Sequence, residues 1–176
     1  MDEADVWRRV SKDRAVDLLV WGPGEHGADY PIRIAVKQTL QEFFTGGTVL
    51  FSEDDPSTTS AVPASWLGRL AFRERLQAAK ANVVYIIPTS PGPKLELILF
   101  SRYTEIASKL HVLMPAHHTD NSFMGRVFFD ALALLERHHQ VQSFSTFTEA
   151  AVAAYCLDHA KSWYMATHPE GPPDLL

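Results

Sequence analysis

Cysteine is nearly absent. The 176-residue chain has one, Cys156, which excludes an internal disulfide and any zinc or iron–sulfur site built from several thiolates. Its setting, AAYCLDH, is apolar with a helical pattern and reads as a packed thiol rather than a nucleophile. Positive charge is in deficit: 16 Lys and Arg face 21 Asp and Glu, a formal net charge of -5, and no basic cluster carries interleaved aromatics. That argues against the electrostatic footprint of a nucleic-acid binder. No apolar run is long enough to cross a bilayer. The amino-terminal MDEADVWRRV is acidic and then amphipathic, without the apolar segment of a secretory signal. The expectation is a cytoplasmic protein without a membrane partner.

What is there is alternation. A hydrophobic fraction of 46% at this length fits one domain, residues 1-176, with a core of its own. Val16 to Trp21 is a short apolar run that ends at glycine. Ile32, Ala35, Val36, Leu40, Phe43 and Phe44 then recur at helical spacing until Gly46-Gly47. Further strands are predicted at 48–52 (TVLFS), 82–87 (NVVYII), 111–114 and 141–147. Helices are predicted at 66–80, from Pro93 to about Ser108, at 122–139 and at 148–165. Five strand–helix units argue a parallel sheet covered on both faces through right-handed crossovers. The expected fold is α/β: a flavodoxin-like three-layer sandwich on a five-stranded parallel sheet of order 2-1-3-4-5.

In such folds ligands lie beyond the carboxyl ends of the strands, where the connections diverge. The opening loop there, WGPGEHG, spells G-x-G-x-x-G at Gly22, Gly24 and Gly27. A dinucleotide fingerprint starts its helix within the glycines. Here the helix signal, Pro31, comes four residues after Gly27, so the loop reads as a flexible rim. Glu96 follows the Ser90-Pro91-Gly92 turn. With Pro93 at the first helical position, Glu96 falls in the first turn, where the helix dipole favours an ionised carboxylate. It is the only charge between Leu95 and Phe100, and an anion there suits a reaction that develops positive charge on a sugar. Glu53, Asp54 and Asp55 close the second strand, where an acid can take ribose hydroxyls. His117, His118 and Asp120 carry metal-ligating atoms. Adjacent histidines rarely point at one ion, so no metal is expected, and no cofactor. His138 and His139 read as a helix end.

The stretch RERLQAAKANVVYIIPTSPGPKLELILF resembles the third strand and following helix of nucleoside 2-deoxyribosyltransferase-like proteins. It is similar, more loosely, to the NAD-cleaving Toll/interleukin-1 receptor (TIR) domains. Motif detail covers residues 81 to 100, with WGPG and FSEDD in support. The resemblance implies that Glu96 is the catalytic glutamate. It implies that Ser90, Pro91 and Gly92 meet ribose or phosphate, that Gly22, Pro23 and Gly24 lie beside the base, and that Asp54 or Asp55 contacts base or sugar. Ile98 stands where the transferases have glycine, and no tryptophan precedes Glu96 as in TIR domains. The implied activity is cleavage or transfer at the N-glycosidic bond of a nucleoside, nucleotide or NAD. The implied setting is that of a bacterial anti-phage effector, as a homo-oligomer or with a regulatory partner. The alternative is a non-catalytic nucleotide-binding or signalling module on the same fold. A third, metal-dependent phosphohydrolysis through His117 and Asp120, would require a chelator-sensitive activity.

Overall fold

The apolar runs become strands because a parallel sheet buried on both faces excludes polar side chains. All four residues of β1 (Leu18–Trp21) and of β3 (Val83–Ile86) are buried. The other strands are β2 (Val49–Leu50), β4 (Leu110–Pro115) and β5 (Val141–Phe144). In the computed structural model, which describes residues 2–13, 15–54, 67–119 and 122–169, they form one all-parallel sheet of order β2-β1-β3-β4-β5. This is the expected flavodoxin-like arrangement.

Helices α2 (Tyr30–Phe43) and α7 (Glu149–Thr167) cover one face, with α1 (Glu3–Asp13). Helices α3 (Leu67–Lys80), α4 (Pro91–Phe100) and α6 (Phe123–Glu136) cover the other. The alternation of strand side chains divides the core accordingly. Leu18, Val20, Val83 and Tyr85 join the α2/α7 cluster. Leu19, Trp21, Val84 and Ile86 join the α4/α6 cluster. Side-chain caps start two helices: Ser122 Oγ accepts from Gly125 N–H at 3.0 Å, and Thr148 Oγ1 from Ala151 N–H at 3.4 Å.

Three elements differ from expectation. The amphipathic amino terminus is a full helix, α1, whose Val10 carbonyl accepts from the Tyr164 hydroxyl at 3.1 Å. β2 has two residues, because Ser52–Asp54 turn into a 3-10 helix; Asp54 Oδ2 accepts from Phe51 N–H at 2.8 Å and holds the turn. The helix expected to run to Ser108 stops at Phe100, where the chain turns, and Tyr103 is extended before the short α5 (Thr104–Ala107). The Arg75 guanidinium lies 4.2 Å over the Tyr103 ring and secures that break.

β1 leads to β2 on one side and β3 leads to β4 on the other. Past the strands' ends, Ile87 N–H still donates to the Trp21 carbonyl at 3.0 Å. The loops that begin at Gly22 and Pro88 therefore leave the sheet side by side.

Candidate active site

The glycine loop is shaped by its own chain. A Cβ on Gly22 would lie 3.0 Å from Arg33 Cδ and 3.4 Å from Ile87 Cβ, so the loop passes close over a side chain of α2. Gly27 N–H donates to the Gly24 carbonyl at 2.8 Å, and a Cβ on Gly27 would collide with Pro23 Cβ. The third glycine thus closes a turn onto Pro23, and α2 starts only at Tyr30. The pyrophosphate fingerprint has no helix start at which to work. Gly24 and Gly92 both border open space.

Arg33 organises this end of the sheet. It is 2% exposed. Its Nε and Nη2 donate to the Val20 carbonyl, each at 3.2 Å, and Nη1 donates to the Pro23 carbonyl at 3.3 Å. Nη1 and Nη2 also form a fork onto Glu53 Oε1 and Oε2 at 2.7 and 2.8 Å. The guanidinium rests 4.1 Å above the Phe51 ring. Only a planar five-donor cation satisfies two buried carbonyls and a carboxylate together. Burial acts to raise Glu53, but the hydrogen bonds and charge of Arg33 outweigh it and hold the carboxyl below its usual range. Asp54 is engaged in the same way. Burial opposes its ionisation, yet the Lys37 ion pair and the Phe51 N–H keep it low. A substrate hydroxyl at Asp54 would compete with both. Asp55 lies outside the described residues.

Glu96 sits differently from expectation. Ser90 is the residue before the helix and Pro91 is its first, so Pro93 is the third. That moves Glu96 to the second turn, where the dipole's influence has faded. Burial then dominates. Together with the like charge of Glu74, and with Glu53 adding to Glu74 against the opposing Arg33, it pushes the Glu96 carboxyl up to about 8. The expected resting carboxylate is therefore a protonated acid at neutral pH. Glu74 on α3 is itself pushed up to about 7, by burial and then by Glu53. Three carboxyls and one guanidinium from α2, α3, α4 and the β2 turn thus sense one another where β1 and β3 end. Two neighbouring polar atoms, Trp21 Nε1 and Thr89 Oγ1, are buried with no hydrogen-bond partner among the described residues.

The structure brings Gly22, Pro23, Glu53 and Arg33 into contact and couples Glu96 to that group electrically. Ser90, Pro91 and Gly92 begin the helix that carries Glu96. Arg33 and Glu74 were not among the expected site residues. Arg33 had a sequence signal: a cation in the first turn of an apolar helix sits where the dipole disfavours it. Glu74 had none. Of the metal-type residues, Asp120 lies outside the described residues, and His118 packs edge-on to Phe128 at 6.0 Å. Among the described residues no group of three His, Cys, Asp or Glu could hold an ion. Two clefts lie away from Glu96, at the other end of the strands: one of about 290 Å³ between β1 and α3, and one of about 750 Å³ among α5, α6 and α7.

No protein-family model matches this chain, and comparison with curated proteins finds no similar sequence. Among the described residues no helix is long and apolar enough to cross a membrane.

Proposed function

We propose that the chain cleaves or transfers at the N-glycosidic bond of a nucleoside, nucleotide or NAD, with Glu96 at the reacting sugar. The observation that carries this reading is a carboxyl raised to about 8 beside a second one near 7, at the diverging loops of an α/β sheet. Acids perturbed by burial and by a neighbouring like charge, in a cleft, are candidates for a functional site. In this reading the C1′–N bond breaks, its electron pair leaves with the base, and water, or a second base in transfer, forms the new bond to C1′ and gives up its proton. Glu96 gives up its proton and faces the cationic sugar, as nucleophile or as stabiliser. A carboxylate whose ionised form is disfavoured by burial responds strongly to an approaching positive charge. Glu74 is the nearest candidate to hold the displaced proton and return it to the leaving base. Gly24 and Gly92, with open space beside them, would admit the substrate. The pyridinium ring of NAD, already cationic, would favour the ionised Glu96.

The test is release of free base, read by mass spectrometry, from NAD, nucleosides and nucleoside monophosphates. Glu96→Gln should lower the rate by about 10² to 10³. With Glu96 ionised and Glu74 protonated in the active form, the pair holds one proton, and kcat/KM should pass through a maximum between about 7 and about 8. No base release by the unaltered protein, or an equally fast Glu96→Gln, would sink the proposal. One observation favours the second reading, a nucleotide-binding or signalling module: Glu53 and Asp54 are already taken by Arg33 and Lys37. Calorimetry showing tight binding of NAD or a cyclic nucleotide, without turnover, would select it.

A further inference from the structure

The cleft of about 750 Å³ has the size of a small-molecule site, roughly 300–1,000 Å³. It lies beside the start of β4, bounded by α5, the end of α6 and the last turns of α7, and shares no residue with the Glu96 cluster. All its lining residues are described. Leu134, 40% exposed, and Trp163 give it apolar walls. In a chain of net charge -5, none of the lining residues is Asp or Glu, while Arg102 stands exposed at the lip. Glu105, next to the lining Thr104, is drawn off to Arg75, 2.7 Å from Nη2 to Oε1.

The inner wall holds two imidazoles. His111 of β4 and His159 of α7 have ring centroids 3.9 Å apart. The Tyr85 hydroxyl donates to the Cys156 carbonyl at 3.0 Å and lies 2.9 Å from His159 Nδ1. A phenol has one proton. With that proton on the carbonyl, the second contact requires His159 Nδ1–H to donate to the Tyr85 oxygen, which leaves His159 Nε2 as an acceptor. Burial, and for His111 the neighbouring His159 as well, holds both rings below the usual imidazole range, His111 at about 3. They remain neutral and offer flat faces, the His159 Nε2 acceptor, and one donor and one acceptor nitrogen on His111. The charge of a bound anion falls to Arg102.

We propose that this cleft is a second binding site, for a flat aromatic anion whose ring lies against Trp163, Leu134 and the two imidazoles and whose acidic group meets Arg102. The acidic group can be a carboxylate or a phosphate monoester. The site is independent of the reaction assigned to Glu96.

The experiment titrates the full chain with salicylate and with phenyl phosphate, and with uncharged salicylamide for comparison. The readouts are calorimetry and the histidine ring NMR signals. Saturable binding of at least one anion is expected below about 1 mM, with shifts at His111 and His159. Which anion binds more tightly identifies the acidic group. Arg102→Glu, at an exposed position, should weaken binding by at least about tenfold. Ser162→Trp, also exposed and on the wall, should fill the cleft and abolish binding. Glu96→Gln should leave it unchanged. The proposal is overturned by absence of saturable binding of both anions, by equally tight salicylamide, by indifference to Arg102→Glu and Ser162→Trp, or by loss of binding in Glu96→Gln.

Discussion

The two ends of the sheet treat titratable groups by opposite means. At the carboxyl end, Arg33 and Glu53 stay charged, and Arg33 has partners for every donor direction: two carbonyls and a forked carboxylate. At the amino end, the half-buried His111 and His159 have no ion pair among the described residues and lose their charge instead. Glu74 and Glu96 sit at the carboxyl end yet are pushed up, to about 7 and about 8, by burial first and then by like charge, with Arg33 committed to Glu53. A buried group keeps its charge only where a counter-charge and hydrogen bonds offset desolvation. The supply of counter-charge decides which acid at this end stays ionised and which becomes a proton donor.

The largest expected effect breaks the committed pair. Arg33→Met removes the guanidinium and leaves the Val20 and Pro23 carbonyls without its donors. The cost expected in urea unfolding is about 2–4 kcal/mol. Glu53→Gln should cost about 1 kcal/mol or less, since the Glu53 side chain is 53% exposed against 3% for Arg33. Similar costs for the two would mean that the ion pair, rather than the buried carbonyls, explains Arg33. Arg33→Met should also remove a positive charge that favours the ionised Glu96 and leave Glu53 unpaired to repel it, so the Glu96 carboxyl should rise further.

The next effect separates the ends by pH. His111 has a folded pKa of about 3 against 6.5 unfolded, so below pH 6.5 the unfolded chain binds the extra proton. Its contribution is intact above 6.5 and is lost as pH falls from there toward 3. Glu96 has the opposite sign. Its folded pKa of about 8 exceeds the unfolded 4.5, so the folded protein holds the extra proton, and stability is lost as pH rises from 4.5 toward 8. Glu96→Gln should therefore leave stability little changed near the acid end of that window and raise it, on the order of 1–2 kcal/mol, at the alkaline end. Urea midpoints across the window check this. A variant with the same pH slope as the unaltered chain would show that burial does not hold the Glu96 proton. His111→Asn should flatten the acid limb without altering the alkaline one.

The sheet order was legible because fully buried parallel strands are bare apolar runs between helical periods, and five such runs leave few topologies. The start of α4 was not. Pro91 and Pro93 both suit a first turn, and the choice between them moves Glu96 by two positions, out of the dipole's reach and into the control of burial. Arg33 was visible as a misplaced cation, but Glu53 lies 20 residues away and only the turn after β2 brings it back. Glu74 is one charge among several on an amphipathic helix, and its orientation depends on how α3 packs. The imidazole pair was hidden for a related reason: His111 and His159 meet only because β4 and α7 share the Tyr85 side of the sheet.

The smallest expected effect asks whether the amino end holds strain of another kind. His139, just after α6, has φ 57, the left-handed region in which a β-carbon crowds the following carbonyl. It lets the chain reverse: His139 N–H donates to the Glu136 carbonyl at 3.0 Å and Gln140 N–H to the Leu135 carbonyl at 3.2 Å, the arrangement that glycine favours at helix ends. Gln140 then lines the aromatic-anion cleft and donates from Nε2 to the Ala107 carbonyl at 2.6 Å. His139→Gly should relieve the crowding but loosen the unfolded chain, for a net gain of about 0.5–1 kcal/mol in thermal or urea unfolding. His139→Ala keeps the β-carbon and should show no gain. Equal gains from both would assign the effect to loss of the imidazole. The turn would then be unstrained, and the amino end would differ from the carboxyl end in its treatment of charge alone.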